Sequence, residues 1–355
     1  MLNVLHIITT INRGGAENQL FTLVAKQIEL GYKVRVAPLK GDNELLNQLE
    51  LIGVDVYSNA CNLNPLRQLK SLLHSLKTFR PHIIHAHLPR AELVAIFLSL
   101  FAPVISTRHN SERFFPKAPP QISKILSRFV CIVARKIIFI SEEARNFAVR
   151  EREVKLTSKC EVIYYGFNWG NVSNVSRKKL QRHNPFKFVT VGRLVQQKRI
   201  DIQIYAASML HADEFKLMIY GDGELREDLR EIAAQKSVTD KIEFKGRSME
   251  IPSVLRDADC FILSSQYEGF GLVILEAIDA GLPIIASSIP TTLEILGHDY
   301  PYLFEINSPE TLAKLMHTVY SNIESIVLNY ESVKSKFHID VAVQAHDLLY
   351  SKVIG

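Results

Sequence analysis

"DCFILSSQYEGFGLVILEAIDAGLPIIASS", residues 259 to 288, changes character twice along its length. "DCFILSS" is rich in aromatic and β-branched side chains and reads as a buried strand. "GLVILEAIDAG" has helix composition and stops at Gly281, and "LPIIASS" is a second apolar strand. Strand, loop, helix and strand in this order form a βαβ unit, whose parallel strands are covered on both faces. The loop "QYEGFG" then lies at the carboxyl end of the first strand, where open α/β sheets bind ligands. Glu268 sits in that loop, and Glu276 follows on the helix, roughly 7–8 Å past Gly271 at 1.5 Å of rise per residue.

The same grammar extends in both directions. "LNVLHIITT" followed by "INRGGAENQLFTLVAKQIEL" is a strand, a glycine turn and an amphipathic helix, and "FKFVTVGRLVQQKRIDIQIYAASML", from Phe186, repeats it. Further strand-like runs are "YKVRVAPL", "PHIIHAHL", "APVISTRH" and "KIIFIS", then "FKLMIYGDG" and "KIEFKG". Strands alternating with helical segments predict two doubly wound α/β domains facing each other across a cleft. The predicted division is residues 1–168, a polar linker over 169–185, residues 186–329, and a closing helix over 330–355. At 355 residues the chain is too long for one ordinary core.

Composition narrows the classes. The chain is 47% hydrophobic and 22% charged, as folded globular proteins are, and its four cysteines are scattered, which fits a reduced cytosolic setting. Neither a basic start nor a signal-peptide pattern opens the sequence. The most apolar segment, Ala91 to Ile105, is broken by Pro103 and falls short of the ~20 residues that span a bilayer. It reads as a helix followed by a strand. Net charge is +5, but residues 1–168 carry +9 and the remainder −4. Such asymmetry points to an anionic partner surface.

Two elements supply chemistry. Free backbone N–H groups at the start of the "GLVILEAIDAG" helix suit phosphate, with glycines allowing close approach, while Glu276 beyond the first turn could accept two hydrogen bonds from a ribose diol. A glutamate near a helix start is also a common dipole or capping effect, which fits Glu276 less well than Glu268. In "VGRLVQQKRID", Arg193 and Lys198 could converge on one pyrophosphate, neutralising it as its bond to a sugar breaks; a pair of surface cations is the alternative.

"VGRLVQQKRID", "YGDGELREDL" and "YEGFGLVILEAIDAGLPIIAS", in this order and spacing, resemble the retaining glycosyltransferases of family 4, with the GT-B fold. Glu268 to Glu276 matches that family's Glu-x7-Glu signature, and "RGGAE", "HAHLPRAELVA", "TRHN" and "FISEEAR" extend the resemblance over the first half. The resemblance implies that Arg193 and Lys198 grip the donor phosphates and that Glu276 takes the ribose hydroxyls. It implies that Glu268, with the backbone of Gly269, Phe270, Gly271 and Leu272, holds sugar and diphosphate. It further implies that Gly14 and Gly15 close over the donor phosphate and that His109 faces the transferred sugar. Catalysis would be independent of metals and cofactors, with a same-face route to retention. Two departures stand out: Tyr165 occupies a position where the family commonly has Asn, and Arg199 one where it commonly has Gly or Asn.

Other signals carry less. "GDGELR" lacks the third glycine of a dinucleotide fingerprint, and acidic residues fill the next turns. His85 and His87 share a strand face that zinc could use, but no third ligand is near in sequence, so a structural or acceptor-side role is expected. The run from Arg108 to Lys136 is basic and interleaved with aromatic and aliphatic residues; Arg113, Phe114, Phe115, Lys117, Lys124 and Arg128 are expected to form a membrane or acceptor patch. A solvated basic face is the plain alternative, and no nucleic-acid module is recognised. The expectation is a bacterial hexosyltransferase, cytoplasmic and peripheral at the membrane. It would use a UDP- or GDP-linked sugar to extend a lipid-linked or growing surface glycan. The rival readings are a transferase on a small soluble acceptor, a non-catalytic nucleotide-sugar sensor and a nucleotide-sugar epimerase.

Overall fold

The computed structural model describes residues 1–170, 183–210, 212, 214–248 and 250–355, so most of the expected 169–185 linker lies outside the described residues. The chain divides into two compact units, Met1–Asn168 with Lys336–Gly355, and Trp169–Ser335.

In the first unit the order is β1 (Asn3–Ile8), α1 (Gly15–Glu29), β2 (Lys33–Pro38), α2 (Leu46–Leu51), β3 (Asp55–Val56), α3 (Pro65–Phe79) and β4 (Ile83–His87). It continues with α4 (Pro89–Ala95), β5 (Val104–Arg108), α5 (Pro120–Val133), β6 (Lys136–Phe139), α6 (Glu142–Arg150) and β7 (Cys160–Val162). The second unit holds β8 (Phe186–Val191), α7 (Ile200–Met209), β9 (Phe215–Tyr220), α8 (Arg226–Gln235), β10 (Ile242–Gly246), α9 (Ile251–Arg256) and β11 (Cys260–Leu263). Then come α10 (Leu272–Asp279), β12 (Ile284–Ser287), α11 (Pro290–Leu296), β13 (Leu303–Phe304), α12 (Pro309–Asn322) and the short α13 (Glu331–Lys336). A final helix, α14 (Ile339–Ile354), belongs with the first unit.

Every strand pairing between these strands is parallel. The first sheet runs β3-β2-β1-β4-β5-β6-β7 and the second β10-β9-β8-β11-β12-β13. In each, the chain winds outward from a central strand and then returns beside it, so the winding direction reverses between β1 and β4 and between β8 and β11. Such switch points leave a crevice at the carboxyl ends of the two strands. The central strands are apolar and buried on both faces: β4, β5, β11 and β12 are buried at every position. The short strands β3, β7 and β13 had no period of their own in the sequence. They lie beyond the main runs and pair over only two or three residues.

Local chemistry sets several helix starts. Asn64 accepts from Arg67 N ahead of Pro65 to begin α3, and Ser141 accepts from Ala144 N to begin α6. The apolar segment from Ala91 yields α4, a 3₁₀ turn over Ile96–Leu98 and then β5. Among the described residues no helix is long and apolar enough to cross a membrane.

α14 buries Ile339, Val343, His346, Tyr350 and Val353, all on one face. Leu349, Tyr350 and Val353 cluster with Val4, Ile83, Ile105 and Ile138 of the first sheet. Residues 330–335, expected with that closing helix, stay with the second unit instead. The cause is Tyr330, whose buried hydroxyl donates to Leu282 O at 3.1 Å and lies 3.0 Å from the Tyr300 hydroxyl.

Candidate functional site

The switch point of the second sheet gathers most of the expected donor residues. β8 delivers the loop from Gly192 to Arg199, and its neighbour β11 delivers Ser264 to Gly271. Lys198 Nζ donates to Glu268 Oε1 at 2.5 Å, and Ser265 Oγ donates to the same oxygen at 2.5 Å. The two loops are laced further: Gln266 N donates to Gln197 O at 2.9 Å, Gln197 Nε2 to Tyr267 O at 2.8 Å, and Ser264 Oγ reaches the carbonyls of Lys198 and Arg199. Thr291 Oγ1, on α11, donates to Glu268 O at 2.9 Å. Glu268 is therefore held from both ends, and it in turn fixes the ammonium of Lys198. Arg193 is exposed on the β8 loop, where its carbonyl accepts from Val195 N at 3.0 Å and its guanidinium, among the described residues, has no hydrogen-bond or ion-pair partner.

A second layer of glycines supports this loop. Gly192 N donates to Tyr220 O at 2.9 Å, Leu194 N to Asp222 O at 3.0 Å, and Leu225 N to Leu194 O at 3.1 Å. Gly221 sits at φ +142°, and a Cβ there would lie 1.8 Å from Gly192 O; one on Gly223 would lie 2.4 Å from Leu194 O. "GDG" is thus no nucleotide fingerprint. It is the backbone shelf on which the Arg193 loop rests, a role that the motif spacing did not reveal.

α10 begins at Leu272 after Gly271, which takes φ +88° as the residue preceding the helix. Its first-turn amides point out of the carboxyl edge of the sheet. Phe270 is buried beneath the loop, while Gly269 and Leu272 are half-buried. Glu276 is half-buried between Leu275 and Ala277, and among the described residues no group hydrogen-bonds its carboxyl. Burial pushes its pKa above the ordinary carboxyl value. Arg199 adopts φ +47° and ψ 45°, a left-handed conformation that disfavours side chains with a Cβ, and an ion pair to Asp201 at 2.9 Å accompanies it.

The first unit carries a different constellation at its own switch point. The sheet register sets His6 on β1 opposite His85 on β4, and Ile8 opposite His87. With every ring neutral, one assignment satisfies the whole cluster. Gln27 Nε2 donates to the Tyr350 hydroxyl (3.3 Å), leaving Gln27 Oε1 to accept from His6 Nε2 (2.9 Å). His6 Nδ1 then accepts from His87 Nε2 (2.9 Å), His87 Nδ1 from His109 Nε2 (3.1 Å), and His109 Nδ1 from the Tyr165 hydroxyl. Tyr350 donates to His85 Nδ1 (2.7 Å), and His85 Nε2 donates to Thr107 Oγ1 (2.6 Å). Burial holds His6 and His109 down to about 3 and drives His85 and His87 well below the usual imidazole value. His6, His85 and His87 are close enough to resemble a metal site, but each of their six ring nitrogens already has a hydrogen-bond partner. Of this row only His85, His87 and His109 stood out in the sequence. His6, Gln27 and Tyr350 did not, because their partnership is made by strand register and by a helix more than two hundred residues away.

His109 and Tyr165 line a mostly apolar pocket of the first unit, with Leu20, Leu23, Ile140 and Ile339. Gly14 and Gly15 open α1; Gly14 is in extended backbone, and the carboxylate of Glu17 curls back over the turn, accepting from Thr10 Oγ1 at 2.5 Å.

The expected membrane patch needs one correction. Phe114 is 2% exposed, with the Arg108 guanidinium 4.0 Å above its ring and its amide bound by Glu153, so it is part of the interior. Phe115, Arg113 and Lys124 are half-buried, and Lys117 and Arg128 are exposed.

Two units built on parallel, doubly wound sheets define an α/β architecture of the GT-B class. Residues 13–168 match the family described as Glycosyltransferase Family 4, and residues 172–326 match Glycosyl transferases group 1. Together these matches make the chain a glycosyltransferase of the family 4 type. A UDP-Gal:alpha-D-GlcNAc-diphosphoundecaprenol alpha-1,3-galactosyltransferase of Escherichia coli is 27% identical over 69% of this chain and 69% of its own length. The capsular polysaccharide biosynthesis glycosyltransferase CapH of Staphylococcus aureus is 23% identical over 99% of each chain. The relatives with higher identity match over less of their length: an uncharacterized glycosyltransferase of Methanocaldococcus jannaschii, 33% identical, is spanned over 39% of its length. The GtfA subunit of Streptococcus agalactiae, 34% identical, is spanned over 26%. Among solved structures, Anabaena HepE in complex with UDP-glucose shares the fold at TM-score 0.84 and 19% identity, covering 99% of this chain and 100% of that one.

Proposed function

We propose that the protein moves a hexose from a UDP- or GDP-linked sugar to a lipid-linked or growing surface glycan, with retention of configuration and without a metal. The observation that carries this reading is the set at the β8/β11 switch point: Lys198 locked to Glu268, the Arg193 guanidinium free on the same loop, and the Glu276 carboxyl one helix turn beyond the first amides of α10, the last two without a partner among the described residues. Arg193 and Lys198 would neutralise the diphosphate together with the α10 amides, and Glu276 would accept from the ribose diol. As the bond between the anomeric carbon and the diphosphate oxygen breaks, its electron pair goes to the diphosphate. The acceptor hydroxyl bonds to the same face of that carbon, and its proton passes to the leaving phosphate. The charge that develops on the diphosphate meets fixed positive groups, which is where the electrostatic gain lies. Glu268 contributes by holding Lys198 and by facing the sugar. His109, neutral in its hydrogen-bonded row, would contact the transferred hexose as a polar wall. The galactosyltransferase and capsular relatives support a polyprenyl-linked or polysaccharide acceptor, and the basic run in the first unit supports action at the cytoplasmic membrane face.

The test is a thermal-shift and hydrolysis panel of UDP-, GDP-, ADP- and TDP-sugars, with and without a membrane lipid extract. A shift with one donor, and nucleoside diphosphate release that rises with the extract, is the expected result. Binding without release under any acceptor condition would favour a nucleotide-sugar sensor. Conversion of the donor to an isomer would favour an epimerase.

A further inference from the structure

The helix α5 is turned inside out. Its buried residues are Ser123, Ser127 and Val130, and the serines satisfy Glu153: Ser123 Oγ donates to Glu153 Oε1 at 2.8 Å and Ser127 Oγ to Glu153 O at 3.1 Å. Its exposed residues include Ile122, Ile125, Phe129 and Ile132, with Ile125 at 65% and Ile132 at 73%. Steps of three, four and three residues keep these four within roughly 80° of one face of the helix. A helix with only water beyond it arranges its residues the other way round. The turn after α4 adds Phe97, Leu100 and Phe101, also exposed, with Leu100 at 91%. α4 packs against α5. This turn leads into β5 and the end of α5 leads into β6, and since β5 and β6 are parallel neighbours, Phe101 and Ile132 approach the same edge of the sheet.

The charges around this stripe choose its occupant. Lys117, Arg128 and Arg135 are exposed and Lys124 is half-buried, and no acidic residue occurs between Glu112 and Glu142. A second copy of the chain, docked about a two-fold axis, would set these cations against their own images. An anionic bilayer accepts both the aliphatic stripe, into its acyl boundary, and the cations, at its phosphates. We propose that α5 and the 97–101 turn form a docking face for an anionic lipid bilayer, with α5 lying in the membrane plane. The stripe starts near the carboxyl edge of the sheet, where β5 also delivers His109. A lipid-anchored acceptor diffusing in that plane therefore meets the unit on its acceptor-side edge. The purpose of the face rests on the transfer reading; its existence does not.

The test is co-sedimentation with vesicles of pure phosphatidylcholine and of phosphatidylcholine with 30% phosphatidylglycerol, where the composition is on the order of a bacterial-like negative surface. Wild type is expected to pellet with the anionic vesicles only. Ile125→Glu with Phe129→Glu should weaken partitioning about tenfold or more, and Lys124→Gln with Arg128→Gln should lower it to the neutral-vesicle level. Wild type left in the supernatant of both vesicles would overturn the proposal, as would a glutamate pair that pellets like wild type. Self-association that the glutamate pair abolishes, without vesicle binding, would reassign the face to a second copy. The thermal shift by a nucleotide sugar is read on the same samples. Its persistence in both variants shows them folded, and its absence in wild type counts against the transfer reading while leaving the vesicle result standing.

Discussion

Glu276 shows how a single side chain can be read twice. A carboxyl that is largely removed from water, with no donor to replace the water, costs stability when it is charged. Its raised pKa makes the sign explicit: the folded state binds this proton more tightly than the unfolded chain, so the destabilising term is fully present at neutral pH and is relieved as pH falls through the folded pKa. Glu276→Gln should therefore melt at or above the wild-type temperature in the absence of nucleotide, by up to about 1 kcal/mol. The same variant should lose most of the thermal shift given by the nucleotide sugar, since an amide offers the ribose diol one acceptor in place of two. A variant that melts lower yet keeps the full nucleotide shift would remove Glu276 from the donor site. By contrast, Glu268 is fully engaged with Lys198 and Ser265, and its loss would be felt without any ligand.

Among the elements, the shelf formed by Gly221 and Gly223 matters as much as the loop above it. A methyl group on Gly221 would have to displace the Gly192 carbonyl, and a backbone conflict of that kind costs about 2–4 kcal/mol. Gly221→Ala should lower stability by that amount and weaken nucleotide-sugar binding more than tenfold, because Arg193 rides on the displaced loop. Calorimetry and donor titration on the one variant check both, and a stable variant with wild-type donor affinity would show that the shelf is dispensable. The alternating strands and helices, and the pair of loops bearing Lys198 and Glu268, were legible in the sequence because each follows from local composition and βα spacing. The shelf was not, since it depends on how closely two backbones approach. The run that contains α5 was legible as basic and interleaved with apolar residues, but Phe114 was misplaced in its exposed patch. Its burial is set by Arg108 and Glu153, residues on other elements that no helical period can report. Arg199 was noticed as a departure, and its left-handed backbone supplies the reason why a glycine or asparagine suits that turn.

At the scale of the whole molecule, the first unit is tied together by imidazoles from three regions of sequence: His6, then His85, His87 and His109, then His346. All five have pKa values depressed by burial, with His346 at about 4. The unfolded chain takes up these protons near pH 6.5, whereas in the folded unit His6, His109 and His346 refuse them until about pH 3–4 and His85 and His87 also hold out well below the usual imidazole value, so the stability they represent is present above pH 6.5 and is lost as pH falls below it. Each imidazole contributes a slope of about 1.4 kcal/mol per pH unit in the window. Glu276 and the buried Glu92, both with raised pKa, oppose the loss in part. Thermal unfolding followed from pH 7.5 to 4.5 should show a steep fall, and His6→Gln should flatten it by about one proton. A profile that stays level between pH 7 and 5 would mean that these rings are protonated in the folded unit.

That unit is also finished by the far end of the chain. Leu349, Tyr350 and Val353 close the cluster that contains Val4, Ile83, Ile105 and Ile138. During synthesis, residues 169–335 emerge between the two parts. At about 5–20 residues per second this interval lasts roughly 10–30 s. For that time the nascent sheet shows the ribosome's surroundings an uncovered aliphatic face with a histidine row beside it. The second unit, uninterrupted in sequence, can complete itself first, so the unit that begins to form before it is the unit whose folding ends after it.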